Sequence, residues 1–456
     1  MMRKTENTAA RDLALRIVGT LRAGGYDAFL AGGCVRDERL GRVPKDYDVA
    51  TDALPEDVER LFPKTLSIGK AFGVVVVVEA GETVDVATFR RDIGSLDGRR
   101  PESVAFCEAR EDALRRDFTI NGLFEDPSDN RIIDYVGGLS DLERGVVRAI
   151  GNPRRRFAED HLRMMRAVRF SHVLGFELDP ATESAIREGA PNLSRISIER
   201  IESEFSRTLL ESDRPGDALR HFVELGLLDC FLPEVVAMRG VEQPPKFHPE
   251  GDVFEHVVLM LNRMAETPEV SSNHSSSELL YAVLLHDVGK PATGRRSAGR
   301  DGEIRMRFNG HAAVGAEMAD RILLRLKLPL RERRRIVEVV RGHMRFLEVP
   351  NMRESTLRRM MGAEIFPLEL ALNRLDCLAS HGKLDRYEFL LEKQAEWAGR
   401  PVLPSPWISG RDLIDAGIPP GPEIGRLLRH AFDAQMEGRF PDREALLQAI
   451  REGVVP

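Results

Sequence analysis

The strongest constraint on the fold is a change in the spacing of apolar residues near Pro153. Before that point a helix-like segment, 12–24, is followed by three strand-like runs separated by Gly, Asp and Pro turns: 27–31, 73–79 and 83–88. Beyond it the spacing is helical, as in 159–174, 198–210 and 215–225. Only 301–307 suggests a hairpin there. The pattern predicts an α+β protein, in which a small mixed sheet with helices precedes an extended, mostly helical remainder.

A chain of 456 residues is too long for one core, so we expect several domains. The prolines in 243–249 indicate a boundary, and the segment 401–406 indicates a linker. We therefore predict four parts: 1–150, 151–245, 246–400 and 401–456.

Composition excludes several classes of protein. Hydrophobic residues make up 42% and charged residues 30%, as in globular proteins. No apolar run approaches the roughly 20 residues of a membrane-spanning helix, and residues 1–11 lack the apolar core of a secretory signal. The four cysteines are scattered without a CxxC pair, which predicts reduced thiols and a cytoplasmic location.

The net charge of −7 does not by itself indicate a nucleic-acid partner. Local charge differs, since eight arginines stand against only Glu159 and Asp160 between Arg144 and Phe170. Phosphates need cations only where they bind, so this segment is a candidate contact. A solvated, arginine-rich helix is the alternative.

Acidic residues in the first part suggest a metal-dependent reaction. Asp46 and Asp48 are two apart on a predicted strand, so both carboxylates should project from one face. Asp85 lies in another, otherwise apolar strand, where a charge needs a partner. Two Mg²⁺ ions held by the three carboxylates could activate a 3′-hydroxyl and stabilise a leaving pyrophosphate. Gly32-Gly33, at a strand end before a helix, would let backbone N–H groups approach a triphosphate.

Five segments between residues 27 and 210 then recur in a characteristic order. They are Gly32-Gly33-x-Val-Arg36-Asp37 with Asp46-x-Asp48, Arg115-Arg116-Asp117-Phe-Thr-Ile-Asn121-Gly, Asp134-Tyr-Val-Gly137-Gly138-Leu-Ser-Asp141-Leu, Glu159-Asp160-His-Leu-Arg163-Met-Met-Arg166-Ala-Val-Arg169-Phe and Ser197-Ile-Glu-Arg200-Ile. Together they resemble the signature of class II tRNA nucleotidyltransferases and bacterial poly(A) polymerases.

The resemblance implies a polymerase-β-like head, 1–150, and a helical neck and body, 151–245. Asp46, Asp48 and Asp85 would be catalytic, with Asp46 and Asp48 holding the metals. Asp160 and Arg163 would read the bases of ATP and CTP, since a carboxylate accepts from an exocyclic amine while a guanidinium donates. The nucleotide-binding residues it implies are Gly32, Gly33, Arg36, Arg116, Asp117, Asn121, Asp160, Arg163, Arg166 and Arg169.

Helical spacing agrees with this assignment. On one helix, Asp160, Arg163, Arg166 and Arg169 recur every third residue and would form a polar stripe. The intervening residues Leu162, Met165 and Val168 would pack inward.

The sequence gives less information about which nucleotides such an enzyme would add. The segment from Arg90 to Pro101 resembles the flexible loop of CCA-adding and A-adding members, which disfavours a CC-adding enzyme. The segment 68–74 resembles the tRNA-directed branch. We predict addition of CCA to tRNA from CTP and ATP, with A-adding or poly(A)-adding activity as the alternative.

A second constellation lies in the second helical block. His256, the adjacent pair His286-Asp287, and Asp376 resemble the ligands of HD-domain phosphohydrolases, and His311 and His343 would complete a second metal site. Imidazoles and carboxylates suit several divalent metals, so the metal's identity stays open. The resemblance implies an HD domain at 246–400, a helical tail at 401–456 and phosphate binding by Lys290.

Three classes of function remain in view. A tRNA 3′-end nucleotidyltransferase accounts for the first constellation, with a metal-dependent phosphohydrolase activity in the HD domain as a weaker addition. A hydrolase-only HD protein would carry an inactive head, and a pure RNA-binding module would need neither set of ligands. The run from Arg331 to Arg335 is either a phosphate contact or a solvated helix face, and the tail motif around Gly410 receives no chemistry. Oligomeric state stays open.

Overall fold

The computed structural model describes residues 8–94, 103–246, 248–267, 276–298, 302–399 and 401–454. The chain divides into two compact units, Met1–Val236 and Ala237–Pro456. The α+β class predicted from the periodicity is confirmed, because a mixed sheet lies in the first unit and helices dominate the second. Within the described ranges, no helix has the length and apolar character needed to cross a membrane.

Short helices and strands alternate in the first unit. Its strands are β1 (Ala28–Ala31), β2 (Asp48–Thr51), β3 (Thr65–Gly69), β4 (Val74–Glu79), β5 (Glu82–Thr88), β6 (Arg90–Ile93), β7 (Ser103–Phe106), β8 (Leu123–Asp126), β9 (Arg131–Asp134), β10 (Val146–Val147) and β11 (Glu177–Leu178). Its helices are α1 (Thr8–Ala23), α2 (Gly33–Arg39), α3 (Pro55–Leu61), α4 (Ala109–Arg115), α5 (Gly138–Arg144), α6 (Pro153–Glu159), α7 (Leu162–Leu174), α8 (Pro180–Gly189), α9 (Ile198–Glu211), α10 (Pro215–Glu224) and α11 (Pro233–Val236). Short 3₁₀ turns lie at Lys70–Phe72, Thr119–Asn121, Ala190–Arg195 and Leu228–Cys230.

Seven of these strands form one sheet in the order β3-β4-β5-β2-β1-β8-β9. Strands β2 and β5 run parallel, and every other neighbouring pair is antiparallel. Alternate residues of β5, Val84 and Val86, are buried on the face that α1 covers. The intervening residues, Asp85 and Ala87, therefore project from the opposite face.

The spacing located β1, β4 and β5 within one residue but missed others. Strands β8 and β9 extend the sheet beside β1, although their short runs carry acidic residues that weaken the strand signal. Strands β6 and β7 pair separately as a two-stranded ribbon. The loop motif predicted from Arg90 to Pro101 falls partly on residues 95–102, which lie outside the described residues.

The expectation of one helix over 159–174 is wrong at its start. Helix α6 ends at Glu159, and Asp160 is extended, with φ −150° and ψ 108°. Its side chain accepts a hydrogen bond from the backbone N–H of Leu162 at 3.0 Å. Such a local bond competes with helix continuation, so α7 starts afresh at Leu162. The inward packing of Leu162, Met165 and Val168 is confirmed, since all three are buried.

The second unit is mainly helical. Its helices are α12 (Val253–Glu266), α13 (Ser276–Leu285), α14 (Lys290–Thr293), α15 (His311–Arg325), α16 (Leu330–Gly342), α17 (Glu354–Met361), α18 (Phe366–Ala379), α19 (Asp385–Glu396), α20 (Gly410–Asp415), α21 (Pro422–Met436) and α22 (Arg443–Arg451), with a 3₁₀ segment at His343–Asn351. Strands β12 (Arg295–Ala298) and β13 (Ile304–Arg307) pair as the predicted hairpin, whose first strand begins earlier than the sequence suggested.

The tail has its own small core and a clear local signal. Leu413, Leu427 and Leu446 pack together between α20, α21 and α22. Ser409 and Asp412 form a reciprocal capping box at the start of α20, each side chain bonding the other's backbone N–H. The tail motif around Gly410 is therefore a helix start. The division of the chain after Val236 lies inside the predicted part 151–245, and the four-part organisation remains a prediction.

Candidate active site

A cleft of about 900 Å³ in the first unit brings the predicted head residues together. Its walls come from β1, β2, β5, α2, α7 and α9 and from the loops between them. The predicted catalytic and nucleotide-binding residues all line it: Gly32, Gly33, Arg36, Asp46, Asp48, Asp85, Arg116, Asp117, Asn121, Asp160, Arg163, Arg166 and Arg169. They span more than 130 positions of sequence, so the fold, and not local spacing, assembles the set.

Three carboxylates share one wall of the cleft. Asp48 is the first residue of β2, and its partner across the parallel pair is Asp85 of β5. Paired residues on neighbouring strands project from the same face. Asp46 precedes the strand instead of lying on it, but it also lines the cleft. Between them Tyr47 is buried and donates its hydroxyl to Glu38 at 2.7 Å, so the backbone alternates and both aspartates face the opening.

The three carboxylates lie close enough to repel one another, as the ligands of a cation site do. Burial, together with the charges of Asp46 and Asp85, raises the pKa of Asp48 to about 6. Burial and Asp46 likewise raise the pKa of Asp85. Among the residues that the structure describes, no lysine or arginine forms an ion pair with any of the three. The charge of Arg116 offsets only part of the pKa shift of Asp48, and oxygen ligands with excess negative charge suit divalent cations.

Next to this cluster, a glycine turn brings the backbone close to an arginine. Gly32 has φ +75°, and a Cβ there would lie 2.8 Å from Nη1 of Arg116. A side chain at that position would therefore displace the guanidinium. Arg116 is held by Asp112 at 3.1 Å and by the carbonyl of Asn121 at 3.2 Å.

A hydrogen-bonded chain connects α2 to α7 through two buried residues. Arg36 donates to Oδ1 of Asn121 at 2.6 Å, and Nδ2 of Asn121 donates to Asp117 at 3.0 Å. Asp117 also accepts from Nε of Arg166 at 2.8 Å. Burial alone would raise the pKa of Asp117, but Arg166 and the bond from Asn121 hold it below its usual range. Asp117 is therefore a charged anchor for Arg166 and Asn121.

The residues predicted to read the base also have partners within the protein. Oδ2 of Asp160 accepts from Nη2 of Arg200 on α9 at 3.0 Å. Nη1 of Arg163 donates to Glu159 at 2.7 Å and to the carbonyl of Arg156 at 3.1 Å. These contacts fix both side chains at the rim of the cleft before any nucleotide enters.

The predicted polar stripe along a single helix is wrong. Asp160 lies in the break before α7, and Arg169 is only 4% exposed. Its Nε donates to Glu204 of α9 at 2.5 Å, so Arg169 ties two helices together while its edge reaches the cleft. The buried ion pair with Glu204 offsets part of the cost of removing Arg169 from water. The spacing of residues in the sequence could not reveal this partner.

Three of these arginines contact one aromatic ring. The guanidinium carbons of Arg36, Arg166 and Arg169 lie 5.0, 5.3 and 4.3 Å from the ring centroid of Phe170. The ring also makes an edge-to-face contact with Phe118, at 5.7 Å between centroids. Cation–π attraction operates over such distances. Phe170 therefore supports arginines from both α2 and α7.

The second unit contains a compact cluster of imidazoles and carboxylates. One ligand atom from each of His256, His286 and Asp287 lies within 4.8 Å of the others, and the same holds for Asp287, His311 and His343. Oδ2 of Asp287 is 3.1 Å from Nε2 of His286, and its Oδ1 is 3.4 Å from Nε2 of His311. Asp287 thus belongs to both groups.

The remaining predicted ligand joins the first group. Oδ1 of Asp376 lies 3.2 Å from Nε2 of His256. Within the described part of the chain, Nε2 of His256 and Nε2 of His286 are buried and have no hydrogen bond of acceptable geometry. Buried nitrogens left in this way are suited to metal coordination. The donor set of His256, His286, Asp287 and Asp376 therefore fits a divalent metal.

Two basic features considered as phosphate contacts have partners within the protein. Lys290 is buried and donates to Asp287 and to Gln243, each at 2.6 Å. Arg331 pairs with Glu364, and Arg335 pairs with Glu278 and Glu364. Ion pairs therefore cross the 331–335 run, and the choice between a phosphate contact and a solvated helix face stays a prediction.

Comparison with known proteins identifies the family. Residues 28–148 match the "Poly A polymerase head domain", 175–238 match the "Probable RNA and SrmB- binding site of polymerase A", and 253–379 match the "HD domain". A CCA-adding enzyme of Lactobacillus johnsonii is 42% identical over 437 residues, 95% of either chain. The chain belongs to the CCA-adding enzyme family.

Other CCA-adding enzymes support this membership over different spans. One from Geobacillus stearothermophilus is 48% identical over 221 residues, 48% of this chain, so the chain spans about half, 54%, of that relative's length. The crystal structure of the Bacillus stearothermophilus CCA-adding enzyme in complex with CTP has a TM-score of 0.70 at 28% identity, covering 97% of this chain and 98% of that one. The family resemblance and the fold class predicted from the motifs are confirmed.

Several residues around the two sites of this CCA-adding family member escaped the sequence interpretation. Arg200 was noted only as part of a motif, and Phe170 only as an apolar residue after Arg169. Glu250 is hydrogen-bonded to His256, and the ring of His248 packs edge-to-face on that of His256, but neither residue belongs to the predicted ligand set. The one available signal was their clustering with Pro249 directly before α12.

Proposed function

We propose that this protein adds C and A nucleotides, taken from CTP and ATP, to the 3′ end of tRNA. The observation that carries the proposal is the convergence on one cleft of a three-carboxylate wall, a glycine turn beside Arg116 and the pair Asp160 and Arg163. A protein of the CCA-adding family with these groups in one cleft has what nucleotidyl transfer requires, which is a metal site, cations for a triphosphate and polar groups for a base.

Members of this family use divalent metal ions, and we propose Mg²⁺ held by Asp46, Asp48 and Asp85. The bound ions would activate the 3′-hydroxyl and neutralise the departing pyrophosphate. Arg36 and Arg116 would bind the triphosphate, since each presents donors to the cleft beside the glycine turn. Asn121 and Asp117 would fix the orientation of Arg36 through their hydrogen-bonded chain.

Base selection would depend on Asp160 and Arg163. Cytosine and adenine both carry an exocyclic amine next to a ring nitrogen acceptor, so one acceptor and one donor can serve either base. Uracil and guanine present a carbonyl where the amine would stand and would meet the carboxylate of Asp160 unfavourably. The protein side chains therefore replace a nucleic-acid template.

The proposal is tested with three tRNA acceptors, ending before C74, C75 or A76 in standard tRNA positions, and CTP, ATP or both. Extension of all three to CCA is expected. Growth only of the acceptor that lacks the final A would indicate an A-adding enzyme, and long A tails a poly(A)-adding one. Asp48→Ala should abolish extension, whereas Asp129→Asn, on an exposed turn, should not. Extension by Asp48→Ala at the wild-type rate would contradict the metal assignment.

A second candidate function comes from Asp287. Because its two oxygens face separate imidazole groups, we also propose a divalent metal centre that hydrolyses phosphoesters, such as 2′,3′-cyclic or 2′-phosphates of RNA. Hydrolysis should require added metal and should be lost in Asp287→Asn. Asp48→Ala should retain it. Failure of the purified protein to hydrolyse either substrate with Mg²⁺, Mn²⁺, Co²⁺ or Ni²⁺ would remove this activity without affecting nucleotide addition.

A further inference from the structure

The segment that leads into α12 carries three polar residues, buried or partly buried, beside the metal cluster of the second unit. Gln243 is 7% exposed, and the side chain of Glu250 is 4% exposed. His248 lies between them in sequence and is partly buried. None of the three belongs to the predicted ligand set, so their burial needs another explanation.

Glu250 is positioned to control the orientation of a ligand. Its Oε1 lies 2.7 Å from Nδ1 of His256 and 2.9 Å from Nδ1 of His248. If Nδ1 of His256 carries the proton and donates it to Glu250, the lone pair of Nε2 faces the opposite way. That nitrogen is the one 3.2 Å from Asp376, without a hydrogen bond of its own.

The alternative that His248, Glu250 and His256 bind an ion of their own fits less well. Two tetrahedral ligands, each about 2.0–2.1 Å from a zinc ion, lie about 3.3 Å apart. The two nitrogen–oxygen distances at Glu250 are shorter and match charge-assisted hydrogen bonds. Moreover, a metal at Nδ1 of His256 would compete with one at Nε2, where the other ligands converge.

The same segment reaches a second ligand from another side. Nζ of Lys290 donates to Oε1 of Gln243 and to Oδ2 of Asp287, each at 2.6 Å. Gln243 thereby fixes the ammonium group that contacts the carboxylate shared by the two metal groups. Lys290 in turn lies 5.5 Å from the ring centroid of Phe308, which limits its other orientations.

We propose that Glu250 and Gln243 are positioning residues of the HD metal centre, Glu250 by orienting His256 and Gln243 by orienting Lys290 against Asp287. The inference rests on the metal centre proposed above. Carboxylates that accept from the far nitrogen of a ligating histidine raise its basicity and fix its ring. The segment before α12 therefore sets metal affinity without touching the metal.

The test uses Co²⁺ binding to the full chain, measured by equilibrium dialysis and by the visible absorption of the bound ion. Asp46→Ala/Asp48→Ala serves as the background, so that head sites do not contribute. Glu250→Ala should weaken Co²⁺ binding about 10- to 100-fold. Glu250→Gln, which keeps an acceptor but loses the charge, should weaken it by a smaller factor, and Gln243→Leu should also weaken it. The matched control is Glu242→Gln, because Glu242 is exposed and pairs with Arg296.

The outcomes separate this inference from the proposed centre. Absence of Co²⁺ binding in the background protein would overturn both. Binding that Asp287→Asn abolishes but that Glu250→Ala and Glu250→Gln leave at background affinity and absorption would overturn the positioning role alone. Should Glu250→Ala fail to fold by circular dichroism, Glu250→Gln decides the matter by itself.

Discussion

Asp48 and Asp85 lie side by side as register partners on the parallel strands β2 and β5, although 36 residues separate them in the chain. Asp46, just before β2, adds a third charge to the same wall of the cleft. The fold therefore places like charges close together. Without bound cations, their mutual repulsion destabilises the folded state. Function and stability should conflict at this site.

This conflict predicts that Asp48→Asn stabilises the metal-free protein. The pKa of Asp48 is about 6 in the folded chain, above its unfolded value, so the folded state binds the proton more tightly. The contribution of Asp48 to the stability of the wild type should therefore fall as pH rises from about 4 to 6 and then level off. The amide cannot ionise, so at pH 8 the variant should be more stable by roughly 1–2 kcal/mol, after allowance for solvent screening.

Thermal unfolding in EDTA at pH 4 and pH 8 measures this difference. The two proteins should unfold at similar temperatures at pH 4, where Asp48 is protonated in the folded state, and the variant should unfold later at pH 8. Excess Mg²⁺ should stabilise the wild type more than the variant. An equal transition temperature at pH 8 without metal would contradict the predicted repulsion.

The ion pair of Arg166 with the buried carboxylate of Asp117 should be strongly coupled. Arg166→Met leaves the carboxylate of Asp117 without its main counter-charge and should cost about 1–3 kcal/mol, less than a fully buried pair because Arg166 is about one-third exposed. Asp117→Asn/Arg166→Met should cost less than the sum of the single changes. Urea unfolding of the four proteins measures the coupling, and additive effects would show that the pair acts independently.

Phe170→Leu should impair nucleotide binding more than catalysis. Leucine keeps the site apolar but removes the aromatic face on which Arg36, Arg166 and Arg169 rest. We expect the KM for CTP and ATP to rise about 3- to 10-fold, with kcat changed less, since a cation–π contact contributes about 0.5–2 kcal/mol. The control is Phe222→Leu, a buried phenylalanine packed on Phe205, which should lower stability and leave KM unchanged. Equal effects of the two substitutions on KM would refute a specific role for Phe170.

Arg200→Met should reduce the selection of bases. Arg200 donates to Oδ2 of Asp160 at 3.0 Å, and without it the carboxylate keeps only the bond from the backbone of Leu162 to Oδ1 and is oriented less firmly toward the base. The preference for CTP and ATP over UTP and GTP, measured as kcat/KM with an acceptor lacking CCA, should fall about tenfold, given that a well-oriented polar pair contributes about 1–3 kcal/mol to discrimination. Arg187→Met, which removes an exposed pair with Glu183, should preserve the preference.

The sequence predicted those features of the site that depend on neighbouring residues better than those that depend on the continuity of a whole helix. The spacing of Asp46 and Asp48 predicted that they project together, and both line the cleft while Tyr47 between them is buried. By contrast, the stripe from Asp160 to Arg169 assumed one continuous helix. The side chain of Asp160 accepts a hydrogen bond from the backbone of Leu162, and this bond competes with continuation of the helix. The spacing of apolar residues does not show such a break.

By itself the sequence determined the α+β class, the order of the motifs and the family, and it predicted both ligand sets, since each of these draws on residue type and spacing along the chain. Only the tertiary structure decided which groups meet: Asp48 with Asp85, Arg200 with Asp160, three arginines with Phe170, and Glu250 with His256. The physical reason is that strand pairing and helix packing bring together residues far apart in sequence. The energies of these contacts depend on distance and burial, which a linear pattern does not contain.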